Sequence, residues 1–406
     1  MTIAPGKETY MSDVLNTIFP EARALEHWLV DIRRALHRIP EPGNEEHETS
    51  SAVRAKLDEL HIPYTQIGTA VVGLLEGERP GRCVALRADM DALPIEEPAD
   101  RPYASLHHGY MHACGHDAHM TVALGVAKLL SAHRHGFAGS VKFLFQPAEE
   151  TTGGARPMID AGCLENPHVD FVLGLHVAPE LPVGHIEVKS GPFYGASDNL
   201  GIIIKGKSSH AAYPEKGIDA IVASASVIQA LQTVVSRSIS ALDSAVITIG
   251  KIQGGTRNNI IADEVTLTGT IRTLSEEVRH SICSKVIDVC TQTASAFGAS
   301  CEVHIRPSYP VLVNEEKATE LVRDTAVQLL GESNVHLRQK PTLGVEDFAY
   351  YLQERPGTFW HLGCRRQENR SPSPLHSPDF DIDEACLPVG VAVQAASALR
   401  YLQAEP

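Results

Sequence analysis

The chain has 406 residues, more than one ordinary hydrophobic core uses, so two or three domains are expected. Its 35 Lys and Arg stand against 50 Asp and Glu, a formal net charge of −15, which excludes a surface built for nucleic acid or an anionic membrane. No run of about 18 apolar residues occurs, so no membrane-spanning segment is expected.

The N-terminal stretch MTIAPGKETYMSDVLNTIF lacks a basic region followed by an apolar core and a small-residue cleavage site, so no signal peptide is expected. The eight cysteines form no CxxC and mostly sit in apolar runs such as CVALRA. Reduced thiols and a cytoplasmic location follow. Cys114 stands apart from that pattern.

In chain order, Glu21 to His37 carries Leu25, Trp28, Leu29, Ile32 and Leu36 at helical spacing, and Pro40 and Pro42 end the helix. A second helix is predicted near Glu46–Leu60. AVVGLL (70–75), CVALRA (83–88), SVKFLF (140–145) and FVLGL (171–175) read as buried strands, with helical stretches such as MTVALGVAKLL between some of them. Apolar strands alternating with helices predict an α/β layer fold.

Residues 197 to 308 read differently. LGIIIKG and SAVITIGKI are predicted strands on either side of a helix over IDAIVASASVIQALQTVV. EVTLTGTIRTL alternates, with Val265, Leu267 and Ile271 on one face and Thr266, Thr268, Thr270 and Arg272 on the other. A helix capped by Ser275 and the strand CEVHIR complete a β-α-β-β-α-β order, a ferredoxin-like unit. The domain reading is therefore 1–195 and 309–406 as two parts of one domain, interrupted by 196–308, with an exposed strand edge at 197–205 and the helix at 219–235 as the expected dimerisation surfaces. The stretch RRQENRSPSPLHSP (365–378) is predicted as loop.

Three predicted strands end in polar chemistry. CVALRA runs into Asp89-Met90-Asp91, SVKFLF into Gln146-Pro147-Ala148-Glu149-Glu150, and FVLGL into His176. The segment MHACGHDAHM (111–120) precedes a helix. Open α/β sheets bind ligands beyond the carboxyl ends of their strands, so these segments are expected to share one rim. In an extended loop Cys114 and His116 would point the same way, and a thiolate with imidazoles suits Zn²⁺ or another late first-row ion. Of the pair Glu149-Glu150, one carboxylate can ligate and the other can move a proton. Two readings compete: Cys114 as the nucleophile of a thiol hydrolase, and a structural metal site. The first has no use for the glutamate pair; the second wants four closed Cys/His ligands, a spacing the chain lacks.

Taken in order, RADMDALPI, MHACGHDAHM, FQPAEE, GLHV, GKSSHAAYPEKGIDA, GGTRNNIIADE, GTIRT, GVEDFAYYL and LHSPDFDID resemble the aminoacylase/carboxypeptidase family of dinuclear metallohydrolases. The similarity is greatest to the branch of N-acyl-amino-acid amidohydrolases, hippurate hydrolases and auxin-conjugate amidohydrolases. The resemblance implies a zinc-exopeptidase-like catalytic domain with a mostly parallel sheet, interrupted by a lid or dimerisation domain. It implies two divalent ions per subunit, Zn²⁺ or Mn²⁺ with Co²⁺ or Ni²⁺ as further choices, held by Cys114, His116, Glu150, His176 and His376. Glu149 falls on the general-base position. His210 falls on a histidine that polarises the scissile carbonyl across a homodimer, and Asn259 and Arg272 on residues that hold the substrate carboxylate. The implied reaction splits N-acyl-amino acids, with dipeptide or carboxypeptidase-type cleavage as the alternative. Two departures stand out: Ala262 where the family has Pro, and Thr151-Thr152 where many members carry glycines.

Overall fold

The computed structural model describes residues 17–366 and 372–404. The reading of the extreme N-terminus, and of 367–371 within the predicted loop, lies outside the described residues.

The elements used below are α1 (Glu26–His37), α2 (His47–Glu59), β1 (Tyr64–Ile67), β2 (Ala70–Glu76), β3 (Arg79–Asp89), α3 (His116–Ala132), β4 (Ala138–Gln146), β5 (Phe171–Pro182), β6 (Ile186–Val188), β7 (Ala196–Lys205), α4 (Ala220–Ser238), β8 (Ala245–Gly254), β9 (Glu264–Thr273), α5 (Glu276–Ala296), β10 (Ser300–Pro307), α6 (Glu316–Leu330), β11 (Val335–Leu337), β12 (Gly357–Arg365) and α7 (Cys386–Gln403).

The chain divides into two units, Met1–Gly191 with Val313–Gln339 and Tyr350–Pro406, and Pro192–Leu312 with Lys340–Ala349. The second unit thus takes up a stretch, 340–349, that the sequence reading leaves with the first.

The first unit is built on an eight-stranded sheet in the order β1-β2-β4-β3-β5-β12-β6-β11. Its centre is parallel: β3 runs with β4 and β5, and β5 with β12. Such strands are covered on both faces and therefore read as continuous apolar runs. Every residue from Cys83 to Asp89 is buried. Helices α3 and α7 are buried on almost every side and contribute their apolar residues to the same core. They approach closely because Gly125 faces Val391: a Cβ there would come within 2.5 Å of Val391 Cγ2.

The second unit is a four-stranded antiparallel sheet, order β10-β7-β9-β8, with α4 and α5 on one face. Val265, Leu267 and Ile271 of β9 are buried against those helices, as the alternation predicts. Asp219 and Ser275 cap the two helices through side-chain oxygens. By length and composition α4 alone, among the described residues, could cross a membrane. It instead lays Ala223, Val227, Leu231 and Val234 on the sheet at three- and four-residue spacing, with Ser, Gln and Thr elsewhere on its surface.

One expectation fails here. The stretch 197–205 is predicted as an exposed edge available for dimerisation, but β7 is internal, paired to both β9 and β10. The free edges are β8 and β10. The sequence marks which residues of each strand are apolar, but the order of the strands in a sheet is set by the crossovers rather than by composition.

Candidate active site

Strands β4, β3 and β5 lie side by side, with Asp89 level with Gln146 and Arg87 level with Gly174. Asp91, Glu149, Glu150 and His176 therefore come from one edge of three neighbouring parallel strands, where α/β sheets place their ligands. His116 opens α3 and His376 comes from the segment ahead of α7.

The route by which Cys114 meets His116 differs from the extended loop expected. Gly115 sits at φ +84 and His116 is already the first residue of α3. A Cβ at Gly115 would approach Val177 Cγ2 to 2.4 Å, so a left-handed glycine turn brings thiol and imidazole together.

Cys114 Sγ lies 3.3 Å from His176 Nε2 and 3.3 Å from His376 Nε2. Two groups of donor atoms form around that sulfur, Cys114–His116–His176 and Cys114–Glu150–His376, each with its atoms within 4.8 Å of one another. His116, Glu149 and Glu150 form a group that links them. The structure thus gathers all six residues predicted for this rim.

Two atoms test whether a cation fits. His116 donates Nδ1–H to the Asp91 carbonyl at 2.8 Å, which leaves Nε2 buried without a hydrogen-bond partner. Glu150 Oε1 is also buried and makes no directed hydrogen bond, although His376 Nε2 is 3.1 Å away. Buried lone pairs left open beside a thiol are costly unless a ligand uses them. The residues fit divalent cations.

The electrostatics point the same way. Burial opposes a charge on His116, but Asp89, Asp91 and Glu150 raise it to about 10. Burial and then the neighbouring His119 push His176 well below the usual imidazole range, so its Nε2 offers a lone pair. Burial, reinforced by Glu150 and Glu149, pushes the Cys114 thiol well above its ordinary value. A nucleophilic cysteine needs the opposite shift. The set of donors calls for positive charge, which suits a metal ligand and not a free thiolate.

Asp91 is given no role by the sequence reading, although the strand-end signal that picks out Asp89-Met90-Asp91 points to it. Its Oδ1 accepts the Glu149 N–H at 3.0 Å and its Oδ2 the Glu150 N–H at 2.9 Å. Ala148, just before them, has φ +59, and its N–H donates to buried Glu46 at 2.9 Å. A left-handed alanine redirects the chain so that two consecutive carboxylates reach the rim. His376 is likewise left-handed, at φ +61.

The remaining predicted residues belong to the second unit. His210 and Asn259 are brought together: His210 bridges to Ile260, and Ala211 N–H donates to the Asn259 carbonyl at 3.1 Å. Both lie at the surface of the unit. His210 Nδ1 accepts the Ala212 N–H at 3.0 Å, which places the proton of the neutral ring on Nε2, ready to donate. Arg272 is elsewhere. It pairs with Ser197 and Val246 near the far end of β9, eight residues or about 25 Å from the strand's start beside the Asn259 loop. One copy of this unit cannot set Asn259 and Arg272 on the same carboxylate. Arg272 is half-buried and its only described partner is the Leu343 carbonyl at 3.4 Å.

A carboxylate pair, a buried thiol and three imidazoles around one strand edge define a metal-dependent hydrolase. The chain belongs to the peptidase family M20/M25/M40, whose family model matches residues 85–400. This is the grouping to which the motif resemblance points. An N-acetyl-L-cysteine deacetylase of Bacillus subtilis is 41% identical over 89% of this chain and 85% of its own length. Thermostable carboxypeptidase 1 of Saccharolobus solfataricus is 36% identical over 96% and 99%. Among solved structures, the Bacillus subtilis YXEP protein, described as a dinuclear metal binding peptidase, superposes with a TM-score of 0.82 at 36% identity, covering 94% of this chain and 99% of that one.

Proposed function

We propose that the chain is a two-cation amidohydrolase that splits N-acyl-amino acids into a carboxylic acid and a free amino acid. The observation that carries this is the pair of donor groups sharing Cys114 with Glu149 beside them. The sequence similarity to a deacetylase of an N-acetyl-amino acid supports the substrate class.

Cys114, His116, Glu150, His176 and His376 are the residues that would hold the ions. When bound, such ions lower the pKa of water and polarise a carbonyl. The donor set favours Zn²⁺, with Mn²⁺, Co²⁺ and Ni²⁺ as competitors. Glu149 is buried at the rim with its backbone held by Asp91, and it belongs to neither of the two donor groups that share Cys114, whereas Glu150 belongs to one of them. Glu149 takes a proton from the attacking water and returns it to the leaving nitrogen. His210 Nε2–H donates to the scissile carbonyl oxygen as charge develops there. Arg272 lacks a carboxylate partner among the described residues and offers a forked cation to the substrate carboxylate, with Asn259 as a further contact.

Because His210 and Asn259 lie at one end of β9 and Arg272 at the other, a complete site draws on two copies. A homodimer through the second unit meets that need. Its free edge strand β8 exposes Ile252 to 54%, and α4 exposes Ile221 and Val222 to 49% each. Mixing inactive His210→Ala and Arg272→Ala proteins under exchanging conditions is expected to restore activity, because one site of each hybrid dimer is then intact. No recovery from a mixture proven to contain hybrids would mean that His210 and Arg272 of one copy serve the same site.

All eight cysteines are free thiols, which supports a reducing compartment such as the cytoplasm.

The reaction is tested by measuring amino-acid release from N-acetyl and N-benzoyl amino acids and from dipeptides, before and after chelation and with Zn²⁺ or Mn²⁺ added back. Release from N-acyl substrates that disappears on chelation and returns with metal is expected. Release from dipeptides alone would move the assignment to a dipeptidase. Release that survives chelation but not thiol alkylation would restore the Cys114 nucleophile.

A further inference from the structure

Beside His176 runs a buried polar chain that the reaction does not use. His119 is 2% exposed; its Nδ1 lies 2.6 Å from Asp89 Oδ1, and its Nε2 accepts the Val177 N–H at 3.0 Å. An Nε2 that accepts a backbone N–H carries no proton, so the ring proton is on Nδ1 and goes to Asp89. The other oxygen of Asp89 accepts from Arg87 at 2.7 Å, and Arg87 Nε donates to Gln146 at 3.0 Å. Asp89, His116 and His119 bring donor atoms within 4.8 Å of one another, the pattern of a third cation site. It is not one, because both ring nitrogens of His119 are already engaged.

The position of this chain in the sheet explains it. Paired residues of β3 and β5 run only from Val84 with Phe171 to Arg87 with Gly174. Val177 lies three residues beyond the last pair, where the pairing of β5 with β3 has ended. His119, reaching from α3, accepts its N–H instead. The carbonyl of the same residue accepts the His176 Nδ1–H at 2.8 Å. That leaves His176 Nε2 unprotonated and facing Cys114. The two rings meet edge to face, centroids 4.6 Å apart and planes at 69°.

We propose that His119, held by Asp89 and Arg87, is a positioning residue: by anchoring the Val177 backbone it sets the ring plane and tautomer with which His176 addresses a cation shared with Cys114 and His116. The proposal rests on the reading of those three residues as ligands. Such outer partners of metal-bound histidines change affinity by about 10–100-fold when removed.

Two substitutions of similar polarity separate this role from mere filling of the core. In His119→Gln the side-chain amide reaches the place of Nε2 and can still accept from Val177. In His119→Asn it reaches only the place of Nδ1 and can meet Asp89 alone. Each metal-free protein is titrated with Co²⁺, following stoichiometry and the thiolate-to-cobalt absorption band that reports Cys114. Wild type and His119→Gln are expected to bind two ions within a few-fold of each other, whereas His119→Asn binds one of the two at least about 10-fold more weakly with a diminished band. Equal affinity and equal spectra for the two variants would overturn the proposal. His176→Ala is titrated alongside: if it too keeps both ions and the full band, the ligand reading itself has failed, and the positioning role with it.

Discussion

Replacing Glu149 by Gln lowers kcat by at least about 10²-fold and leaves the cation content unchanged. The two adjacent glutamates make this a sharp expectation. Asp91 binds both backbone N–H groups, so neither substitution at 149 nor at 150 disturbs the loop that carries them. Glu150 is the one whose Oε1 faces His376 and whose donor group includes Cys114. Burial opposes its ionisation, and His376 and His116 outweigh that to hold its carboxyl below the usual range. It is kept ionised by the histidines it shares a site with, which suits a ligand. A glutamine at position 149 has nearly the same shape but cannot carry a proton. The check is kcat and KM on the best substrate found, with metal content measured on the same preparation. Loss of an ion from the Glu149→Gln protein would make Glu149 a ligand, and full kcat in that protein would remove it from the reaction.

Arg33→Met is expected to be the most damaging change away from the rim. Arg33 is completely buried, its Nε 2.8 Å from Asp117 and its guanidinium 3.0 Å from Asp381. Asp117 follows His116, and Asp381 lies five residues past His376, so one cation ties together the two segments that carry candidate ligands. His37 joins from the same helix, 2.6 Å from Asp117 and 2.9 Å from Glu97. Removing one partner of a buried pair costs about 3–5 kcal/mol, because the other charge stays behind unpaired. The effect depends on pH with a definite sign. Burial opposes the charges on Asp117, Asp381 and Glu97, but Arg33 holds the first two below the usual carboxylate range and His37 the third. Stability from a depressed carboxyl is present above about pH 4 and is lost as pH falls through the folded value. Burial and Arg33 oppose a charge on His37, but Asp117 and Glu97 raise it, so it contributes with the opposite sign, losing its share as pH rises through its own folded value. The gap in urea midpoint between wild type and Arg33→Met is therefore widest near neutrality and narrows below about pH 4. A gap that stays constant down to about pH 3 would mean that the network adds packing and no electrostatics.

Much of this was legible in the chain because strand-end chemistry is local. Asp89-Met90-Asp91, Glu149-Glu150 and His176 each follow an apolar run, and the run marks the strand that delivers them. The α/β alternation and the alternating face of β9 are equally local. What stayed hidden depends on distant partners. Arg33 and His37 sit four residues apart on the apolar stripe of α1 with Leu29, Ile32 and Leu36, a visible anomaly with no sign of what they pair with. His119 reads as one more histidine in a dense motif until the sheet shows where the pairing of β3 with β5 stops. The strand at 197–205 has the composition of an edge as much as of a centre. The distance between Asn259 and Arg272 appears only when the hairpin of β8 and β9 is laid out.

The left-handed backbone at Ala148 and His376 bears on how this chain can be made hardier. A non-glycine residue there costs about 1–2 kcal/mol, and glycine would relieve it. At 148 the relief would be offset by the wider freedom glycine gives the unfolded chain, and the two glutamates that follow would lose part of their aim. At 376 relief would remove a donor outright. Selection for thermal endurance alone would erode these two positions, while selection for turnover retains them. The rim is thus held in a conformation that the rest of the fold must stabilise on its behalf.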